Sequence, residues 1–155
     1  MLSARVPKIE NQTILCVNKA GYSIPCDWWV AGDAWAIDMS IPMAIYAGIV
    51  SVGSPGNRVL NPSLKIVDWT SLGIPANAYS TIAAVRFAVE CLGSVSLHMV
   101  GHDMHGSSYF DGSAIDMDEA SRWRSEGEAW DSCLHEIKEQ GVSIMKWSAS
   151  GGIQL

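Results

Sequence analysis

Short apolar runs separated by polar or glycine-rich stretches dominate this chain, and only two segments repeat their apolar positions at helical spacing. Residues 13–18 (TILCVN), 28–31 (WWVA), 47–52 (AGIVSV), 64–69 (LKIVDW), 95–100 (VSLHMV) and 142–147 (VSIMKW) are the candidate strands. Several of these runs are nearly continuous in their apolar character, as strands covered on both faces require. The first helix is predicted over 81–92, where Ile82, Val85, Val89 and Leu92 recur at spacings of three, four and three. Ser80 suits its N-cap and Gly93 its left-handed end, while Arg86 and Glu90 stand one turn apart on the other side. The second helix is predicted over 117–140, with Met117, Ala120, Trp123, Gly127, Trp130, Leu134 and Ile137 on one stripe. Asp116 can cap it, Glu119 can complete a capping box, and Gly141 ends it. Between the second and third strands, 34–39 can make a helical turn, and Ser40 with Pro42 can open a short helix. Residues 54–57 (SPGN) are a loop.

Strands alternating with helices or long loops predict an α/β protein with a mostly parallel sheet flanked by helices. The pattern contains no repeat, linker or low-complexity block, so a single domain is expected over 1–155, with 1–12 and 148–155 as flexible or closing segments.

Composition narrows the function. The 155 residues are 48% hydrophobic and 17% charged, enough for one core, and the net charge is −6. The ten Lys and Arg residues are scattered. A nucleic-acid surface needs clustered cations to neutralise phosphates, so no nucleic-acid partner is expected. Cys16, Cys26, Cys91 and Cys133 lie far apart without a C-x-x-C pair. That argues against a disulfide framework or zinc knuckle and fits a reducing cytoplasm. The first twelve residues lack the apolar core of a signal peptide, and the longest apolar stretch, 41–52, is too short to span a bilayer. A soluble cytoplasmic protein without a membrane span is the expectation. The seven tryptophans can line a stacking surface for a base or sugar, or simply pack a core or interface.

Chemistry is expected where strands end, because ligands of open α/β sheets bind beyond the carboxyl ends of the strands. Asn18 and Asp33 each follow a strand candidate. An amide and a carboxylate there suit a nucleoside or sugar, although both residue types also make ordinary turns. Residues 101–109 hold Gly101, His102, Asp103, His105, Gly106, Ser107, Ser108 and Tyr109. Glycines admit a ligand close to the backbone and hydroxyls bind phosphate or sugar oxygens; a solvated loop is the plainer reading. His105 can act as a general acid or base, or can be an exposed loop histidine. His98, His102 and His105 with Asp103 have metal-ligand character, but their helical spacing is lost across a strand and a loop, so no metal is expected. Thr81 lies at a helix start, where free N–H groups attract anions.

These residues also resemble a known group. The chain is similar to the sialyltransferase-like and DUF115 set of Rossmann-type proteins, in particular bacterial sialyltransferases of glycosyltransferase family 42. That family shows a Thr-Ser-Gly helix start, then L-G, then S-G-x-D and G-S-S-Y. The matching positions here are Ser80-Thr81-Ile82, Leu92-Gly93, Val100-Gly101-His102-Asp103 and Gly106-Ser107-Ser108-Tyr109. The runs ILCVN and CDWWVAGD resemble the group's strands ending in Asn and Asp. The resemblance implies a Rossmann-like domain that binds a nucleotide or nucleotide-sugar at Asn18, Asp33, Thr81, Gly101, Ser107 and Ser108. It further implies that Asp103 positions the nucleotide, Tyr109 assists the departing phosphate and His105 serves as base in transfer of sialic acid or a related sugar. No cofactor is implied.

The chain departs from the family in three places. Twelve residues stand where a first strand and a G-x-G-P-S loop belong, Ile82 replaces a glycine, and no counterpart of the family's catalytic histidine follows Tyr109. The expectation is a shortened relative of the kind a phage genome carries. The alternatives are a non-catalytic binding or interaction module that kept the fold and lost the site, and a metal-dependent hydrolase using the histidines. An absent first strand leaves a sheet edge to cover, which predicts a homodimer.

Overall fold

Four of the apolar runs become neighbouring parallel strands: β1 (Leu15–Val17), β2 (Cys26–Ala31), β3 (Ile45–Ser51) and β4 (Lys65–Asp68), in the order β1-β2-β3-β4. The computed structural model describes residues 11–22, 24–32, 45–52, 65–100, 117–148 and 151–154. Two compact units are found, within Ile9–Leu92 and Gly93–Leu155.

In the first unit an apolar cluster lies on each face of the sheet, which is why its strands read as apolar runs, although Ile66 of β4 stays exposed. One face joins Val30 and Val50 to Trp69, Ile74, Ala83, Ala84 and Phe87, with Leu15, Val17, Trp28 and Val67 packed around them. The other gathers Cys16, Cys26, Trp29, Ala31 and Ile49, with Ala20 and Ile45 beside them. Ala20 comes from the 3₁₀ turn Asn18–Tyr22 that links β1 to β2. Between the pairs Cys26–Ile45 and Trp28–Gly48, β3 holds one residue more than β2, a bulge. At that bulge a Cβ on Gly48 would collide with the Lys65 carbonyl oxygen of β4 and stand 2.7 Å from the Trp28 ring.

The predicted helix over 81–92 is present as α1 (Ser80–Arg86), continued by a π-helical turn, Phe87–Cys91. Gly93 ends it at φ 67°, as its position suggested. The buried face is wider than the four-residue stripe, because Ala83, Ala84, Phe87 and Ala88 are enclosed as well. Alanines let the helix lie close to the sheet, and Phe87 meets Trp28 edge-on, with ring centroids 4.8 Å apart. Arg86 and Glu90 pair at 3.1 Å on the partly exposed side. Such a pair contributes about 0.2–0.5 kcal/mol. Ser80 is not the N-cap: Tyr79 takes that position without a side-chain bond, and Ser80 Oγ accepts the Gly32 N–H at 3.3 Å instead.

The second unit is a β-α-β crossover: β5 (Ser96–Val100), α2 (Met117–Glu139) and β6 (Ser143–Ser148), with β5 and β6 parallel. The final segment, expected as flexible or closing, supplies β7 (Gly151–Gln154), antiparallel to β6. Trp130, Cys133 and Ile137 form the buried stripe of α2, and Ile144 of β6 is fully buried. Gly141, at φ 79°, ends the helix, with the Val142 N–H reaching back to the Ile137 carbonyl. The capping role of Asp116 and the segment with Ser40 and Pro42 lie outside the described residues.

Among the described residues no helix is long and apolar enough to cross a membrane.

Gly127 stands inside α2 and, apart from its chain neighbours and the helix's own backbone, no atom of the described residues lies within 4 Å of where a Cβ would be. Gly127→Ala is expected to raise the unfolding free energy by about 0.5–1 kcal/mol, since alanine gives up less backbone freedom in a helix. Chemical denaturation should show a higher midpoint at unchanged slope; an unchanged or lower midpoint would contradict the helix environment described.

Candidate functional site

Because β1 to β4 are parallel, their carboxyl ends share one rim, and the residues that follow them are Asn18, Gly32, Val52 and Trp69. The bond from the Gly32 N–H to Ser80 Oγ ties the start of α1 to the same rim, so Thr81 lies there too. Asn18 and Thr81 are thus placed on one edge of one sheet. Thr81 is half-buried.

Asn18 leaves β1 at φ 47°, in the left-handed region that asparagine tolerates better than most residues. Its backbone carbonyl accepts the Trp29 Nε1–H at 2.9 Å, which fixes the turn. Its side-chain Oδ1 is enclosed yet has no hydrogen-bond partner among the described residues. An orphaned buried acceptor costs about 1–3 kcal/mol, so this oxygen is poised to take an N–H or O–H donor. Asn18 is thus a turn former here.

Two rim features were not singled out from the sequence. Trp69 is 1% exposed, and its Cη2 would collide with a Cβ on Gly32. Its Nε1, like Asn18 Oδ1, is buried without a partner among the described residues. Asp68, at the end of β4, is committed to its own turn: Oδ1 accepts the Thr70 N–H at 2.9 Å and the Thr70 hydroxyl at 2.8 Å. The run D-W-T-S carried that signal, an acid two residues before a free N–H.

Asp33, Gly101, Asp103, His105, Ser107, Ser108 and Tyr109 lie outside the described residues, as does His102. His98 belongs to β5, where its Nδ1 accepts the Trp147 Nε1–H at 2.9 Å and the two rings stack at 5.9 Å. That bond uses the Nδ1 lone pair. Among the described residues no cluster of three metal-ligating side chains occurs.

The described rim belongs to an α/β protein and holds Asn18 and Thr81. No protein-family model, curated protein or solved structure matches this chain.

Proposed function

We propose that this chain is a Rossmann-like, glycosyltransferase-like protein that binds a nucleotide or nucleotide-sugar at the carboxyl rim of its four-stranded sheet. The observation that carries the reading is Asn18: a side-chain oxygen enclosed at a strand's carboxyl end without a partner among the described residues. The exocyclic amine of a base or a ribose hydroxyl supplies the donor it lacks. Thr81 adds a hydroxyl, and Asp33 follows β2 in sequence. If sugar is transferred, the resemblance assigns Asp103 to the nucleotide, Tyr109 to the leaving phosphate and His105 to the base, with Gly101, Ser107 and Ser108 around the ligand.

Titration calorimetry with CMP, UMP and UDP-sugars tests this. Asn18→Ala is expected to weaken binding about tenfold, the equivalent of one hydrogen bond of about 1.4 kcal/mol. The absence of heat with every one of these ligands would remove the reading.

A second reading, a non-catalytic interaction module, draws support from Trp69. The indole ring already fills the open side of Gly32, where a ligand would otherwise approach the backbone. Under this reading nucleotides bind weakly or not at all.

A further inference from the structure

The β5–β6 ladder pairs His98 with Met145 and Val100 with Trp147, so His98 and Trp147 are diagonal neighbours on one face of the second unit's sheet. The Trp147 Nε1–H donates to His98 Nδ1 at 2.9 Å, and the two ring planes are 16° from parallel. Among the described residues β5 is paired on one side only, with β6. The bond is therefore a side-chain tie on an outer strand, made two residues before that strand ends at Val100. His98 is exposed, so a proton from solvent can reach it. Neither ring belongs to the proposed nucleotide rim.

A neutral imidazole that accepts at Nδ1 carries its own hydrogen on Nε2. Protonation adds a hydrogen at Nδ1 itself, and an imidazolium has a donor on each nitrogen and no acceptor. The Trp147 N–H would then face a second N–H across 2.9 Å. Trp147 cannot exchange roles to relieve this, because an indole nitrogen only donates. The imidazolium must turn to water instead.

We propose that Trp147 and His98 form a pH-sensitive latch on β5, closed while the imidazole is neutral and opened by its protonation. Ser96, Val100, Ser143 and Met145 share the face of the two rings, and none of them is charged near neutrality. Lys146 lies between Met145 and Trp147 and projects to the opposite face with its pair Met99. In β7 the residues registered with Met145 and Trp147 are Gln154 and Gly152, neither of them ionisable. Among the described strand residues no charge on this face offsets the one that appears on His98. Opening leaves the backbone ladder to hold β5, and this strand runs directly into residues 101–109 with their imidazoles and hydroxyls. Sheet edges open locally at less cost than a core unfolds, so mild acid loosens the carboxyl end of β5.

The test follows the full chain, labelled with ¹⁵N, by NMR from about pH 8 to about pH 5.5, across which histidine passes from neutral to charged. The Trp147 indole N–H is identified by its loss in Trp147→Phe, and the His98 ring by its loss in His98→Gln. As the His98 ring resonances report protonation, the Trp147 indole N–H should move upfield. Corrected for the pH dependence of exchange itself, its protection from hydrogen exchange should fall about tenfold, the effect of one hydrogen bond. The β5 amides should exchange faster in step. His98→Gln keeps an acceptor at every pH, so its Trp147 indole N–H should hold its position and protection throughout. The proposal is overturned by an indole N–H that stays put while His98 becomes charged, or by a response that persists in His98→Gln. A His98 ring still neutral at the acid end, or β5 amides unchanged once the bond is lost, overturns it equally.

Discussion

Trp69→Ala is expected to lower the unfolding free energy by about 3–5 kcal/mol, the range for removing a fully buried aromatic side chain. The indole is 1% exposed and shares a cluster with Val30, Val50, Ile74, Ala83, Ala84 and Phe87. Its removal opens a void where sheet and helix meet, and β4 and α1 cannot both move in to fill it. Trp69→Phe separates two contributions. It keeps most of the ring contacts and deletes the Nε1–H, which has no partner among the described residues, so a loss below about 1.5 kcal/mol is expected. Equilibrium urea unfolding of both variants decides the matter. Near-native stability for Trp69→Ala would show that this ring is not the keystone of the first face.

Gly48→Ala should cost about 1–3 kcal/mol by forcing extra atoms into a filled space. The new methyl would collide with a backbone carbonyl, that of Lys65, which cannot swing away as a side-chain end can. Relief requires β4 to separate from β3, whose registered pairs run from Gly48–Lys65 to Ser51–Asp68. The same substitution at Gly127 is expected to have the opposite sign, because open space stands there. A stable Gly48→Ala protein with slow amide exchange throughout β4 would refute the close approach.

Much of the secondary structure was legible locally. The runs 13–18, 28–31, 47–52 and 64–69 became strands ending at Val17, Ala31, Ser51 and Asp68 because burial selects nearly uninterrupted apolar residues. Gly93 and Gly141 marked helix ends correctly because a left-handed residue there is a local requirement. Other features were hidden. Ala83 and Ala84 carry too little apolar weight to extend a stripe, yet they set how closely α1 lies on the sheet. Ser80 had the composition of a cap, but Gly32 offered a donor from a distant strand. The tail with Gly151 and Gly152 has weak intrinsic strand preference, and only the free edge of β6 made it a strand. Of the tryptophans, Trp29, Trp69 and Trp130 are core, which the sequence held open against a stacking surface. Asn18 and Thr81 fall on the expected rim; Asp33 and the stretch from Gly101 to Tyr109 lie outside the described residues.

The amino-acid sequence by itself determined where six of the seven described strands and the two described α-helices form and where α1 and α2 stop, since periodicity and helix ends act over a few residues. Tertiary structure alone decided the strand order, the contact of Trp69 with Gly32, the enclosure of the Asn18 side-chain oxygen without a partner among the described residues, and the burial of Cys16 and Cys26 in one cluster. Each of these depends on which distant segment fills a given space, and local patterns of apolar and polar residues carry no record of that choice.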